Sequence, residues 1–401
     1  MICAPDRPAG DARTALPGRP GTASSADRAI RFQASRRFAG WLASQHASLA
    51  FSTYQAGKLF FVGVDERGEL SVFNRTLARV MGLAAHGSTL WVATLWQLWR
   101  FEDARVDDDG AQGAHDRWYV PQLAHTTGDI DVHDVAVDGD GEPVFVSTLF
   151  SCLARPDPRY SFRPVWKPPF ISRIAAEDRC HLNGLAMRDG RPGFVTCVAR
   201  TDVGEGWREH RRSGGVVVDV GADAIVAAGL SMPHSPRWHR GRLWLLNAGS
   251  GELGTIDLDS GRFLPVAFCP GFLRGLSFCG DFAIIGSSEQ REQRTMADLE
   301  LDARLSALGV RARCALFVVD LRTGDVAHEL RIEGAVRELF DTAVLAGARN
   351  PGAVGFRTDE IARTLVLPRG ASPAAAESDV ARFVAASAPP CSEPRSPARV
   401  G

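Results

Sequence analysis

From residue 48 to about 345 the chain reads as short runs in which apolar and polar positions alternate, each closed by Gly, Asp or Pro. A period of two over such lengths marks half-buried strands, and turn residues at every break make successive strands antiparallel neighbours. The pattern predicts an all-β fold.

One motif recurs within it. "VMGLAA", "VHDVAV", "LNGLAM", "PHSPRW" and "LRGLSF" align on Met81, His133, Asn183, His234 and Arg274, at steps of 52, 50, 51 and 40 residues. Repeats of this length suit a four-stranded propeller blade. A sixth copy, "ELFDTAV", matches "DVHDVAV" and places Phe340 in register 66 residues after Arg274. The insertion "SEQREQRTMADLELDARLSALGVRAR" accounts for that longer step. The run "AFSTYQ" has no inner strand before it, and "ELFDTAVL" has no three strands after it. These deficits are complementary, so the strand near 338–345 should complete the blade begun by residues 48–74 and close a six-bladed β-propeller without an open edge.

Two helices interrupt the strand pattern. Residues 29–47 form a helical lead-in with Phe38, Trp41 and Leu42 on one side, packing on the outside of the ring. Inside the insertion, Thr295 and Asp298 make a capping pattern, Leu301, Leu305 and Leu308 share a face, and Gly309 ends the helix. Residues 1–28, and most of 358–401, are rich in Ala, Pro, Ser and Arg; such segments bury too little apolar surface to offset ordering entropy and are expected to be disordered. The propeller itself is assigned to residues 48–357.

Composition narrows the setting. Lys+Arg 46 against Asp+Glu 47 gives a net charge of −1, without the electrostatic footprint of a nucleic-acid or anionic-membrane binder. No apolar run approaches the roughly 18 residues needed to span a bilayer, and the N-terminus lacks the apolar core of a signal peptide. The eight cysteines form no C-x-x-C pair, and several sit in strand patterns, as expected of buried thiols in a reducing compartment. A cytoplasmic protein follows.

Two motifs carry no chemistry. "GSGELG" at 249–254 has dinucleotide-fingerprint spacing but precedes a strand, whereas pyrophosphate needs a helix N-terminus there. "VDGDGEP" and "VDDDGAQGAHD" have the composition of calcium loops without the ligand spacing, and are expected to be a hairpin turn and a surface loop.

The candidate chemistry lies at the start of the inner strands, where the repeat register gathers Met81, His133, Asn183, His234, Arg274 and Phe340 around one channel mouth. Two residues upstream come Arg79, Asp131, His181, Met232, Phe272 and Glu338; one downstream come Gly82, Asp134, Gly184, Ser235, Gly275 and Asp341. Imidazole, amide, guanidinium and carboxylate groups in one ring suit a divalent metal or a carboxylate- or sugar-like ligand. Polar lining of a solvated channel is the competing account. Hydroxyl and amide residues ending the second strands reach the same face, with Tyr54, Gln55, Lys58, Arg200, Asp202 and Glu289 just beyond. The longest insertions, 200–214 and 288–313, wall the mouth.

The segments "LAFSTYQAGKLFFVG", "DVHDVAVD", "CHLNGLAM", "MPHSPRWHRGRLWLLNAGSGELGTID" and "RGLSFCGDFAIIGSSE" resemble a family of uncharacterised bacterial proteins that share a domain of unknown function, over residues 36 to 357. "NGLA" is more remotely similar to the six-bladed lactonase and strictosidine-synthase-like propellers. That resemblance implies a channel metal held by Glu and Asn, for which only Asn183 and Glu338 have counterparts, while His133 and His234 depart from it.

Two functional classes remain. One is recognition, with or without turnover, of a small polar or anionic molecule. A hydrolase- or lyase-type reaction would use His133 or His181 as base, with His234 beside them and Arg274 or Lys58 neutralising developing charge. Asn183, Glu338 and Asp341 count among the ligand-binding candidates of this first class; the other is a non-catalytic module presenting the same top loops to a peptide or protein.

Overall fold

The strand pattern becomes six antiparallel sheets in a computed structural model, which describes residues 29–104, 115–289 and 298–366. Residues 1–28 and 367–401 of the predicted tails, most of "VDDDGAQGAHD" and the predicted cap residue Thr295 lie outside the described residues. Residues 358–366, assigned to the C-terminal tail, instead hold the short helix Glu360–Arg363, whose Glu360 pairs with Arg75 at 2.9 Å. From the inner strand outward, blade 1 is Thr342–Ala346, Ala47–Thr53, Lys58–Val64 and Leu70–Thr76. Blade 2 is Leu83–His86, Thr89–Ala93, Gln97–Asp103 and Arg117–Thr126. Blades 3 to 6 start on the inner strands Val132–Val137, Leu182–Arg188, Pro233–His239 and Phe272–Cys279, and each continues outward in chain order. Inner strands of successive blades touch around the full circle, blade 6 against blade 1 included.

The C-terminal strand closes the ring as the register predicts. Thr342–Ala346 pairs antiparallel with Ala47–Thr53, from Ala47 opposite Ala346 to Phe51 opposite Thr342. Two further strands were not foreseen. Arg31–Ala34 adds to the outer edge of blade 6, so the lead-in is a strand before it is a helix; Phe32 there packs edge-on against Phe60 at 5.6 Å. Pro351–Ala353 runs parallel to the outer strand of blade 2. Both cover backbone that an edge strand leaves unpaired.

Helix α1 (Phe38–Ser44) buries Phe38, Trp41 and Leu42 against blades 6 and 1. Helix α2 (Glu300–Leu308) ends at Gly309 in the left-handed region (φ 63°), but it starts after Leu299 with no side-chain cap. Leu301 and Leu305 are buried, whereas Leu308 is 57% exposed and leaves the predicted face. The segments "GSGELG" and "VDGDGEP" are turns between strands, the latter knotted by Asp138 Oδ1, which accepts from the amides of Asp140 and Glu142.

Apolar side chains form one cluster per blade interface. Phe51, Phe60, Ile284 and Leu316 fill the seam between blades 6 and 1; Leu59, Phe61, Leu90 and Tyr119 fill the next. Equivalent clusters fill the other four seams. Truncating one such aromatic to Ala costs about 3–5 kcal/mol. Stiff seams hold the inner strands, and with them the channel mouth, in fixed register.

Candidate ligand site at the channel mouth

A shared backbone device brings the chain into the inner strands. Arg79, Asp131, His181 and Met232, equivalent positions in four blades, all sit in the left-handed region with φ of 49°, 57°, 50° and 48°. Non-glycine residues there are strained by about 1–3 kcal/mol each. The kink precedes the inner strands; of the three predicted histidines, two are in ring contact there and the third packs on a phenylalanine. The His133 and His181 rings lie 5.0 Å apart edge to face, His133 lies 5.2 Å from Phe340, and His234 lies 5.5 Å from Phe272. Tyr54 stacks on Phe340 at 5.6 Å. The Arg274 guanidinium lies over both Phe272 (5.6 Å) and Phe340 (5.0 Å) and stands 3.7 Å from Glu338.

Each histidine is anchored by Nδ1 to an acceptor. His234 Nδ1 meets the Met232 carbonyl at 2.8 Å. His181 Nδ1 meets the Asp178 carboxylate at 3.0 Å. His133 Nδ1 meets Thr148 Oγ1 at 2.7 Å, and that hydroxyl gives its own proton to the Leu182 carbonyl. All three rings therefore carry a proton on Nδ1, and wherever the ring is neutral Nε2 is left as a bare lone pair. His234 Nε2 is buried with no hydrogen-bond partner among the described residues. On the adjacent blade Asn183 Oδ1 accepts from Thr196 Oγ1 at 2.8 Å, and its buried Nδ2 likewise has none.

Burial sets the charge. The histidines are enclosed rather than solvated as the channel position implied, because the rim side chains close over one another. Desolvation, with Arg274 and the neighbouring imidazoles opposing a further positive charge, pushes His133 down to about 3 and His234 well below the usual histidine range. Both stay neutral at physiological pH.

Asp178 joins the cluster without having been singled out in the sequence, and Trp207 comes from the 200–214 loop expected to wall the mouth. Trp207, from the 200–214 insertion, stacks on His181 at 4.1 Å and donates Nε1–H to Asp178 Oδ2 at 3.0 Å. A lone Asp three residues before a His, in an irregular loop, gave no periodic signal.

Other predicted positions are engaged elsewhere. Asp134 and Asp341 sit one layer below the rim and act as struts. Asp134 accepts from the Leu185 amide and takes a two-pronged contact from Arg237, at 2.6 and 3.0 Å. Asp341 accepts from the Leu83 amide at 2.8 Å and lies 3.6 Å from Arg237. Lys58 donates to Asn74 and Thr76 on the outer strand of blade 1 and does not reach the rim. Asp202, held down to about 2 by the Ser172 amide and hydroxyl and by Arg179, staples its loop. Gln55 and Arg200 are exposed, and Glu289 lies 3.9 Å from Arg337 with its acidity weakened by burial. The hydroxyl ring is partly committed to backbone: Ser52 bonds Met81 and Ser147 bonds Ile130, whereas the buried Ser287 Oγ has no partner among the described residues.

A divalent metal was the cofactor that the residue types allowed. Among the described residues no group of three or more His, Cys, Asp or Glu side chains is arranged to hold one.

The match to known families covers most of the chain: residues 36–354 fit the model of a domain of unknown function, DUF4915. No curated protein matches the sequence. Among solved structures the chain is similar to one in the nidogen/laminin complex (12% identity, 75% of this chain and 99% of that one, TM-score 0.46). It is also similar to a protein of unknown function from Bacteroides caccae (11%, 75% and 98%, 0.45). Streptogramin B lyase is a further neighbour (11%, 71% and 76%, 0.36). Scores this low say nothing of ligand or reaction. Among the described residues no helix is long and apolar enough to cross a membrane.

Proposed function

The chain belongs to the DUF4915 family, a domain of unknown function, and from its own side chains we propose that it recognises a small polar molecule at the mouth of its channel. One observation carries this reading. Asn183 and His234 occupy the same ring position on adjacent blades, are only 3% and 2% exposed, and each keeps an unpartnered polar atom. Leaving such a group unsatisfied costs about 1–3 kcal/mol. Polar residues that merely line a wet channel keep their polar atoms in water. A bound molecule offering one donor and one acceptor would satisfy both.

If the site turns its ligand over, His181 is the base best supported. Its Nδ1–H is held by a buried carboxylate, which orients the ring and stabilises the imidazolium that proton uptake would create. His133, depressed to about 3, is too weak a base for that role, and Lys58 is too far out; Arg274 remains the cation at hand for developing negative charge.

The test is crystallographic. Soaks with small amides, carboxylic acids and polyols should give a molecule bridging Asn183 Nδ2 and His234 Nε2. Ordered water alone at that bridge in every soak, with a peptide or protein captured on the top loops instead, would replace this reading by the interaction-module alternative.

A further inference from the structure

We propose that the molecule is a neutral polyhydroxylated one, a sugar or cyclitol, and that the mouth discriminates against carboxylates and phosphates; this rests on reading the mouth as a ligand site. The three Nδ1 anchors are chemically unrelated: a carbonyl, a carboxylate and a hydroxyl already committed as donor. All three turn Nδ1 to an acceptor, and His133 and His234, held neutral by burial, present only acceptor lone pairs at Nε2. Such a surface needs hydrogen-bond donors from its ligand. Carboxylate and phosphate oxygens bring only further lone pairs, and His133 and His234 cannot adapt by protonating, since burial, Arg274 and the neighbouring imidazoles oppose it.

Arg274 does not reverse this preference, because Glu338 stands 3.7 Å from it and answers its charge. Asn183 Nδ2 asks for the opposite kind of group, an acceptor. An alkylammonium would satisfy the lone pairs, but it could not accept from Asn183 and would stand beside Arg274. A hydroxyl donates and accepts at once. Several hydroxyls on one saturated ring meet both demands, and its C–H faces suit the aromatic walls of the mouth, where Phe340 stacks with Tyr54 and Trp207 covers His181.

Isothermal titration calorimetry of the full chain at pH 7.5 with myo-inositol, D-glucose, D-glucuronate and glucose 6-phosphate tests this. At least one neutral polyol should bind, its anionic counterpart should bind about tenfold or more weakly, and His234→Phe should weaken the polyol about tenfold. Lys58→Ala, outside the mouth, should leave binding unchanged. Tighter binding of the anion at the mouth would overturn the inference while leaving a ligand site in place. Binding of neither polyol at concentrations near their solubility would overturn it as well, and the soaks above then decide whether any ligand site remains. Long-range 1H–15N spectra give a readout independent of ligand: His133 and His234 should both be Nδ1–H tautomers, and an Nε2–H form at either would remove the basis of the selectivity.

Discussion

Arg237→Leu probes the layer beneath the site. The guanidinium grips Asp134 with both Nη atoms at 2.6 and 3.0 Å, lies 3.6 Å from Asp341, and also donates to the Leu185 and Pro236 carbonyls. One cation thus serves two buried carboxylates on different blades. At an effective dielectric of about 20, unit charges ~4 Å apart interact by about 4 kcal/mol, and removing one partner of a buried pair costs about 3–5 kcal/mol. Protonation of the stranded acid caps the loss, at about 1.4 kcal/mol for each pH unit above the ordinary aspartate value. That ceiling is roughly 5–6 kcal/mol at pH 8 and roughly 1–2 kcal/mol at pH 5.

The sign of the pH effect follows. Burial and the nearby Asp134 already raise Asp341 to about 7, and losing Arg237, which opposes that rise, raises Asp341 further. Acids with a raised folded-state pKa are favoured protonated, so their contribution falls as pH rises through that value. The deficit of Arg237→Leu should therefore widen from pH 5 to pH 8, read as urea midpoints at constant m. Adding Asp134→Asn to the Arg237→Leu variant should recover part of it at pH 8. A loss under about 1 kcal/mol at pH 8, or one independent of pH, would refute the strut.

Two other predictions concern closure and acid stability. A chain ending at residue 335 lacks the strand Thr342–Ala346 and should show no cooperative melting; a transition near the parent temperature would contradict closure through blade 1. His133, at about 3 folded against about 6.5 unfolded, takes up its proton in the unfolded chain first, so its contribution is complete above pH 6.5 and declines as pH falls toward 3. His133→Asn should flatten the urea midpoint relative to wild type between pH 6.5 and 4, and parallel profiles would contradict the depression.

The blades were legible because a propeller writes its inner strand once per blade, and "VHDVAV" against "ELFDTAV" is enough to pair the ends of the chain. The histidines at the rim were legible for the same reason. What the register could not show was the direction of side chains across blades. Gly82, Asp134, Gly184, Ser235, Gly275 and Asp341 share one position, and the alternation of glycine with Asp or Ser is geometric. Asp134, Ser235 and Asp341 each reach the inner-strand amide of the next blade, and a Cβ on Gly275 would stand 2.7 Å from the Asp341 Cα. Polar residues there read as ligands from sequence and serve as clasps in the structure. Arg237 lies within "PHSPRW" at a position where the other copies carry no cation, and Asp178 and Trp207 lie off the repeat, so periodicity marked none of them. Arg31–Ala34 and Pro351–Ala353 are too short to stand out from their flanks.

Rim and strut differ in how completely their polar atoms are satisfied, and that contrast separates recognition from scaffolding. Asp134 and Asp341 each accept from at least one backbone amide and face Arg237, whereas His234 Nε2 one layer above has no partner among the described residues. A buried acceptor without a donor opposes folding by about 1–3 kcal/mol. His234→Phe removes that atom and keeps a planar ring against Phe272; the Met232 carbonyl it abandons still accepts from the Ala248 amide at 3.3 Å. The ligand-free variant should thus match wild type or exceed it by up to about 1–2 kcal/mol in urea unfolding at pH 7.5, while losing the response to ligand. Truncating a ring that only packed the mouth would have the opposite sign. A loss of about 2 kcal/mol or more would mean that Nε2 is already paired in the free protein, by an ordered water, and that the mouth is scaffold like the layer below it.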